Sequence, residues 1–453
     1  MKQINQAIEK ILDELLENGK IGALSEVLIT MNPADAGIYL NNIPEDALDQ
    51  VFTKISSTNA GLLFVELDFP KQENLVTFMD DDQLREMLDN MFIDDVSALV
   101  RDLPEAKAER VRNLLDPDTA SQLDMVMSFP EESIGNIMNT EFLSLKPTMT
   151  IADAIASIRS SSGMEKETVN ICYVTDRFGR LAGSIPLRTL VTARDEKIKI
   201  SQLMDSRPVA VNVTDDQEAV SHVFRKYDLT VIPVVDKQYR LVGITTVDDA
   251  IDVIETEATE DMQKMAAIIP TETPYLKTPV FRIWLNRIPW LLVLMIGATF
   301  TAKVITSFEN ALSSCVILTA FIPMLMDTAG NAGSQSSVTI VRGLALGELT
   351  LRDWYKVMWK EVRVALMCGV VLIVCNFAKL MLLDRVTSTV AMTVCFALFL
   401  AVVISKMIGS FLPILIGSIG LDPAVMAGPI LTTIVDALTL LIYFTVATHL
   451  LGL

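Results

Sequence analysis

"PILTTIVDALTLLIYF", residues 429–444, is an apolar run that carries a single carboxylate, Asp436. It lies within a longer stretch, Ala424 to Leu450, in which His449, close to the end, is the one other ionisable side chain of acidic or basic type. At about 1.5 Å per residue, a helix of that length spans a hydrocarbon core of about 30 Å. Asp436 stands 12 residues from the start of the stretch and 14 from its end, which places an ionisable group near the bilayer midplane. A lone charge in lipid is unsatisfied and costly, so such a group marks an ion or substrate path before it marks packing.

Four further apolar spans precede this one, and the five together run at roughly 284–306, 311–341, 355–381, 388–416 and 424–450. The second contains "MDTAGNAGSQSS", residues 326–337, in which Gly330, Ala332, Gly333 and Ser334 permit close helix approach. Asn331, Gln335 and Ser337 in the same stretch can hydrogen-bond across helices. Lys406 lies inside the fourth span, where it can pair, line a wet crevice or relay protons with Asp436. Five spans put the two ends of the chain on opposite sides of the membrane. Arg282, Arg287, Arg342, Arg352, Lys356, Lys360 and Arg363 then lie inside, against Lys303, Lys379 and Arg385 outside. That bias predicts a cytosolic N-terminal region and an outward C-terminus.

Charge divides the 453-residue chain in the same place. From Phe281 onward there are 11 Lys and Arg against 8 Asp and Glu, which leaves the first 280 residues about 22 charges negative. So acidic a region repels nucleic acid and anionic headgroups and attracts cations. The opening "MKQINQAIEKILDELLENGK" reads as a charged amphipathic helix, not a cleavable leader. Five cysteines without a C-x-x-C pair, and only His222 and His449, make a zinc site improbable. No hydrolase triad, phosphate-binding glycine loop or dinucleotide fingerprint is present, so the chain is not expected to be an enzyme.

Residues 1–130 read as short helices with i, i+3, i+4 apolar spacing, as in "DDQLREMLDNMFIDDVSALVRDL". An internal repeat follows. "VNICYVTDRFGRLAGSI" from Val169 aligns without gaps on "LTVIPVVDKQYRLVGIT" from Leu229 at an offset of 60, and "IMN" at Ile137 aligns with "LMD" at Leu203 at an offset of 66. Each copy gives strand, helix, strand, turn, strand and helix. The paired copies, at 131–200 and 201–251, resemble tandem CBS domains, which sense ligands. That resemblance implies a G-x-x-T-x-x-D ribose motif, here Gly243, Thr246 and Asp249, for ATP; the first copy has Pro186 and Thr189 at the equivalent places. Thr246 and Asp249 could equally begin the closing helix. A long acidic helix, Asp248 to Pro270, leads on toward the spans and carries Asp252, Glu255, Glu257, Glu260 and Asp261 against Lys264. Like charges at i, i+3 and i, i+4 destabilise a helix unless a cation neutralises them.

The whole order resembles the MgtE magnesium channels, on "GNAGSQ" at Gly330, "VRGLALGEL" at Val341, "LDPAVMAGPILTTIVDALTLLIYF" at Leu421 and "ATEDM" at Ala258. The fold implied is a multidomain membrane protein: an all-α helical N domain (1–130), an α/β CBS pair, a connecting "plug" helix (252–280) and a five-helix transmembrane domain (281–453), assembled as a homodimer in the cell membrane. The resemblance implies Asp436 as the pore acid, and Asp327 and Asn331 of the second span are taken as further pore candidates. By the same resemblance, regulatory Mg2+ ligands fall by local motif on Asp94 or Asp95, Glu218, Asp228, Asp249, Asp252, Glu257, Glu260 and Asp261. The function expected is Mg2+ import with closure by cytosolic Mg2+. A proton- or sodium-coupled divalent cation carrier and a CBS-based nucleotide-sensing membrane protein are the alternatives.

Overall fold

The computed structural model describes residues 2–160, 168–271, 273, 275, 276, 278–426 and 428–452. Residues 161–167 of the first repeat copy, 272, 274 and 277 of the connecting segment and 427 of the last motif lie outside the described residues. The chain divides into two compact units, Met1–Ile254 and Glu255–Leu453.

The first unit opens with short helices between Lys2 and Met127. Their starts are written locally. Asn32 accepts from the Ala34 N–H ahead of Pro33, Asp80 from Gln83, and Asp116 from Asp118 and Thr119 ahead of Pro117. Each pairs a side-chain acceptor with a freed N–H, and two add a proline whose missing donor costs nothing at that position. The helices bury Leu24, Leu28, Leu40, Leu48, Phe64, Leu75 and Leu84 completely. The same core continues into Val220, Phe224, Ile232, Val234 and Ala250 of the second repeat copy. The N-terminal helices and that copy are therefore joined by apolar packing.

Each repeat copy builds one three-stranded sheet. β1 (Ser144–Leu145) pairs parallel with β2 (Ile171–Thr175), which pairs antiparallel with β3 (Leu181–Pro186). β4 (Val211–Asn212), β5 (Val231–Val235) and β6 (Leu241–Thr246) repeat that order, with Ile171↔Pro186 answered by Val231↔Thr246 and a bulge in each second strand at the same place. The offset of 60 seen in the sequence is thus a register. The offset of 66 turns out to be an exchange: Asn139 of the first block bridges Ile244 of β6, while Asp205 of the second bridges Ser184 of β3. Two glycines make room for it. A Cβ on Gly183 would stand 2.6 Å from the Asp205 carbonyl, and one on Gly243 would stand 2.9 Å from that of Asn139 and 2.7 Å from the Met138 sulfur.

The connecting helix runs Val247–Met265 and ends short of the expected Pro270, at Ala266 and a left-handed Ala267 (φ 54°). Beyond it are five helices long and apolar enough to cross a membrane: Val280–Ser307, Val316–Ala345, Leu351–Leu382, Ser388–Ser418 and Pro429–Leu451. The expected second span is broken at its start. Glu309–Ser314 is a separate short helix, Cys315 leaves helical geometry, and a tight turn at Val316–Phe321 leads into the helix Ile322–Ala345, with Pro323 in its first turn. The Tyr443 hydroxyl of the fifth span donates to the Leu318 carbonyl at 2.9 Å, satisfying one acceptor that this break exposes. The second and fourth spans meet where Gly409 faces the Gly333 backbone more closely than any side chain allows, with Ser405 beside Gly333. None of the described side chains of the first span is buried.

Candidate functional site

The fifth span begins at Pro429, not Ala424. Pro423–Met426 forms its own tight turn, with the Asp422 carboxylate accepting from the Ala424 N–H, and Pro429 then restarts the helix. Asp436 is therefore seven residues, about 10 Å, from the helix start, and the start of the fifth span expected at Ala424 is corrected to Pro429. Leu431 and Val435 anchor this part of the helix on Ala329 and Ala401. The Asp436 Oδ1 lies 3.9 Å from where a Gly330 Cβ would stand, so the absent side chain leaves the carboxylate against the second span. Asp327 is near enough for the two carboxylates to repel each other. The Asn331 Nδ2 donates to Asp327 Oδ1 at 3.1 Å, one turn along the same helix. Asp327 and Asn331 are exposed and Asp436 is half-buried. The three residues expected in the pore thus form one oxygen-rich face, a donor set suited to a hard dication. Lys406, left open above as a relay partner for Asp436, is buried and donates to Ser336 Oγ at 3.2 Å.

A second acidic group lies in the first unit. Asp94, in the opening turn of the helix Ile93–Asp102, accepts from the Asp95 N–H at 3.0 Å and from Asn139 Nδ2 at 3.2 Å. Burial, opposed by the Asp95 N–H and reinforced by the charge of Glu141, holds its carboxyl up at about 6. Asp249 accepts from the Thr246 N–H at 3.0 Å and from its hydroxyl at 2.7 Å. Burial, opposed by these bonds and aided by Asp94 and Asp248, pushes it up to about 7. Asp94 and Asp249, predicted separately, are thus brought together, with Glu141 and Asn139 beside them. Neither of the last two is among the sequence candidates. Their signal is the "IMN" block, which ends in the bridging residue Asn139 and is followed two residues on by Glu141. Thr246 and Asp249 close the start of the connecting helix on each other, and the space at Gly243 is filled by Met138, so all three residues of the ribose motif have a role in the fold.

On the connecting helix, Lys264 pairs with Glu260 and, at 2.7 Å, with Asp422. Burial raises the Asp261 carboxyl, the charges of Asp422 and Glu260 add to this, and Lys264 opposes it. Asp422 is a further residue the motif reading did not select. Asp252 and Glu257 lie on the same helix, Glu218 in the first turn of Gln217–Tyr227, and Asp228 in a left-handed conformation at the end of that helix. Among the described residues no three His, Cys, Asp or Glu side chains converge as one metal cage. Magnesium keeps much of its water shell and needs only one or two carboxylates.

Family models match the chain in order. The MgtE intracellular N domain covers residues 31–132, the CBS domain 134–196 and 200–256, and the divalent cation transporter MgtE 322–446. The magnesium transporter MgtE of Thermus thermophilus is 33% identical over 97% of this chain and 98% of its own length. That of Bacillus subtilis is 29% identical over 96% and 95%. The crystal structure of the cytosolic domain of the Mg2+ channel MgtE in complex with ATP is 31% identical, covers 53% of this chain and 98% of that one, and superposes with a TM-score of 0.51. The soluble part of a magnesium transporter gives 27%, 56%, 99% and 0.53.

Proposed function

The chain belongs to the MgtE family of magnesium transporters, and from that premise we propose that it is a Mg2+ channel whose ion passes over Asp436. It is a multi-pass membrane protein and Mg2+ is its transported ion. The observation that carries the pore reading is the face built by Asp327, Asn331 and Asp436. Two carboxylates and an amide on helices of membrane-spanning length are too costly to present to lipid. A second copy related by a two-fold axis covers that face and doubles its carboxylates around one hydrated dication. The protein is on this reading a homodimer. The acids attract cations, and the ion's waters bridge the gaps that protein oxygens leave.

The N-terminal unit and the connecting helix supply feedback. Asp94 and Asp249 are held together against their own repulsion, and Glu260 and Asp422 share a single ammonium with Asp261 near them. A dication binding either group favours the compact arrangement, and through the connecting helix closes the pore. Asp95, Glu218, Asp228, Asp252 and Glu257 extend the same cation-attracting surface. ATP binds at the repeat pair, Thr246 and Asp249 turning from each other to the ribose hydroxyls; a relative's cytosolic domain holding ATP supports this. The acidic unit is cytosolic and the C-terminus faces outward, by the bias of Lys and Arg. Lys406 bonds Ser336 and not Asp436, which speaks against a proton relay between those two and for a channel over a coupled carrier. Reconstituted protein should pass Mg2+ at a rate set by the Mg2+ gradient and membrane potential. A rate that instead follows an imposed pH or sodium gradient contradicts the channel reading.

A further inference from the structure

Lys406 has no place in the ion path just described, yet it is a cation only 5% exposed inside a membrane-spanning helix. An ammonium so placed must be matched by hydrogen bonds and opposite charge. A hydroxyl meets it. Ser336, 2% exposed, accepts from Lys406 Nζ at 3.2 Å and donates to Glu361 Oε2 at 2.7 Å. An ammonium only donates, a carboxylate only accepts, and a hydroxyl does both, so this direction satisfies all three groups. The chain of bonds crosses the fourth, second and third spans in turn.

The surroundings fasten it. The Ser410 hydroxyl donates to the Lys406 carbonyl at 2.8 Å, and one residue before Lys406 the Ser405 hydroxyl donates to the Ala329 carbonyl of the second span. Ser336 is five residues beyond Asn331 on the same helix, about 7.5 Å along its axis. Sliding or rotating the second span against either neighbour parts the hydroxyl from one charge and strands that charge in low dielectric, where an unpaired ion is most expensive. Apolar side chains of similar volume would fill the space without fixing a register in this way.

We propose that Lys406, Ser336 and Glu361 form a charged brace behind the second span, positioning its Asp327–Asn331 face opposite Asp436 for ion passage. The brace rests on the reading of that face as the pore. It acts through helix position, and none of its three residues touches the ion.

The test is Mg2+ influx and the Mg2+-to-Na+ permeability ratio of full-length protein in liposomes, per folded dimer, with the thermal midpoint of every variant measured alongside. Ser336→Ala removes only the bridging hydroxyl, and should lower influx about fivefold and shift the permeability ratio, the order of effect that coupling between touching residues produces. Lys406→Met and Glu361→Gln each strand one charge and should lose about tenfold or more, or fail to fold. The double variant strands none, and should be less impaired than the worse single. Parent-like influx and permeability ratio in Ser336→Ala overturn the brace, as does a double variant whose loss is the product of the two single losses. Asp436→Ala in the same series keeps the two readings apart: selective influx retained there refutes the pore, whereas its loss beside an unaffected Ser336→Ala refutes the brace alone.

Discussion

Replacing Lys264 by Met tests whether an internal cation holds the connecting helix in place when Mg2+ is scarce. The ammonium lies 2.7 Å from Asp422 just ahead of the fifth span and also pairs with Glu260, and the Lys264 and Asp422 side chains are 26% and 34% exposed. Desolvation works against its charge, but the bonds to Asp422 and Glu260 outweigh this and raise its pKa. Next to it Met265 packs with Val341 and Ala424, and Gly428 lies so close to the Met265 carbonyl that no side chain fits between them. An exposed ion pair contributes about 0.2–1 kcal/mol and loss of one partner from a buried pair costs about 3–5. A pair about one-third exposed falls between, at about 1–2 kcal/mol, or about 5- to 30-fold in the docked-to-undocked ratio. Without Lys264, moreover, Glu260, Asp261 and Asp422 face one another uncompensated. Patch recording at stepped cytosolic Mg2+ should show Lys264→Met open about 5- to 30-fold more at nominally zero Mg2+. It should close like the parent at saturating Mg2+, because the dication takes the ammonium's place. Lys264→Arg should stay near the parent. An unchanged open probability at zero Mg2+ in the Met variant refutes the reasoning.

Gly183→Ala and Gly243→Ala should each destabilise the repeat pair by about 1–3 kcal/mol through overpacking against the exchanged blocks, and a differential scanning trace that moves for one and not the other contradicts the paired exchange. Asp94→Asn with Asp249→Asn relieves two buried carboxyls held at about 6 and about 7; it should raise stability in Mg2+-free buffer by about 1–3 kcal/mol and blunt stabilisation by added Mg2+, and a parent-like Mg2+ response in a thermal-shift titration counts against a cation there. Glu257, Glu260 and Asp261 changed together to Gln should move the closing midpoint to higher Mg2+ by about 5- to 150-fold, with the Mg2+-free connecting helix better protected from protease; closure at the parent's concentration reduces these acids to a solvated face.

What the sequence made legible was whatever recurs at fixed spacing. The strands β2 with β3 and β5 with β6 follow from one gapless alignment, because equal residues at equal offsets adopt equal registers. The exchange of the Asn139 and Asp205 blocks between copies did not follow, since an offset says that two segments are alike and not which sheet each one joins. The five spans were visible in hydropathy, but the start of the fifth was misplaced: an apolar run does not show that Pro429 restarts the helix after a separate turn. Asp327, Asn331 and Asp436, grouped as pore candidates by sequence, meet on one face. Glu141, Asn139 and Asp422 were passed over because their importance comes from long-range contacts. The Lys406–Ser336–Glu361 chain shows the same limit, joining groups 70 and 25 residues apart whose hydroxyl link has no motif.

The central claim is that the Mg2+ path runs over the Asp436 carboxylate. Single-channel recording with Mg2+ as the sole permeant cation tests it most directly on Asp436→Asn and Asp436→Ala, each matched to the parent for folded protein in the bilayer. The account predicts no Mg2+-selective current from the alanine variant, and a weakened, less selective current from the asparagine variant, which keeps an oxygen ligand but loses the field that attracts a dication. Parent-like Mg2+ conductance and selectivity in Asp436→Ala would contradict it.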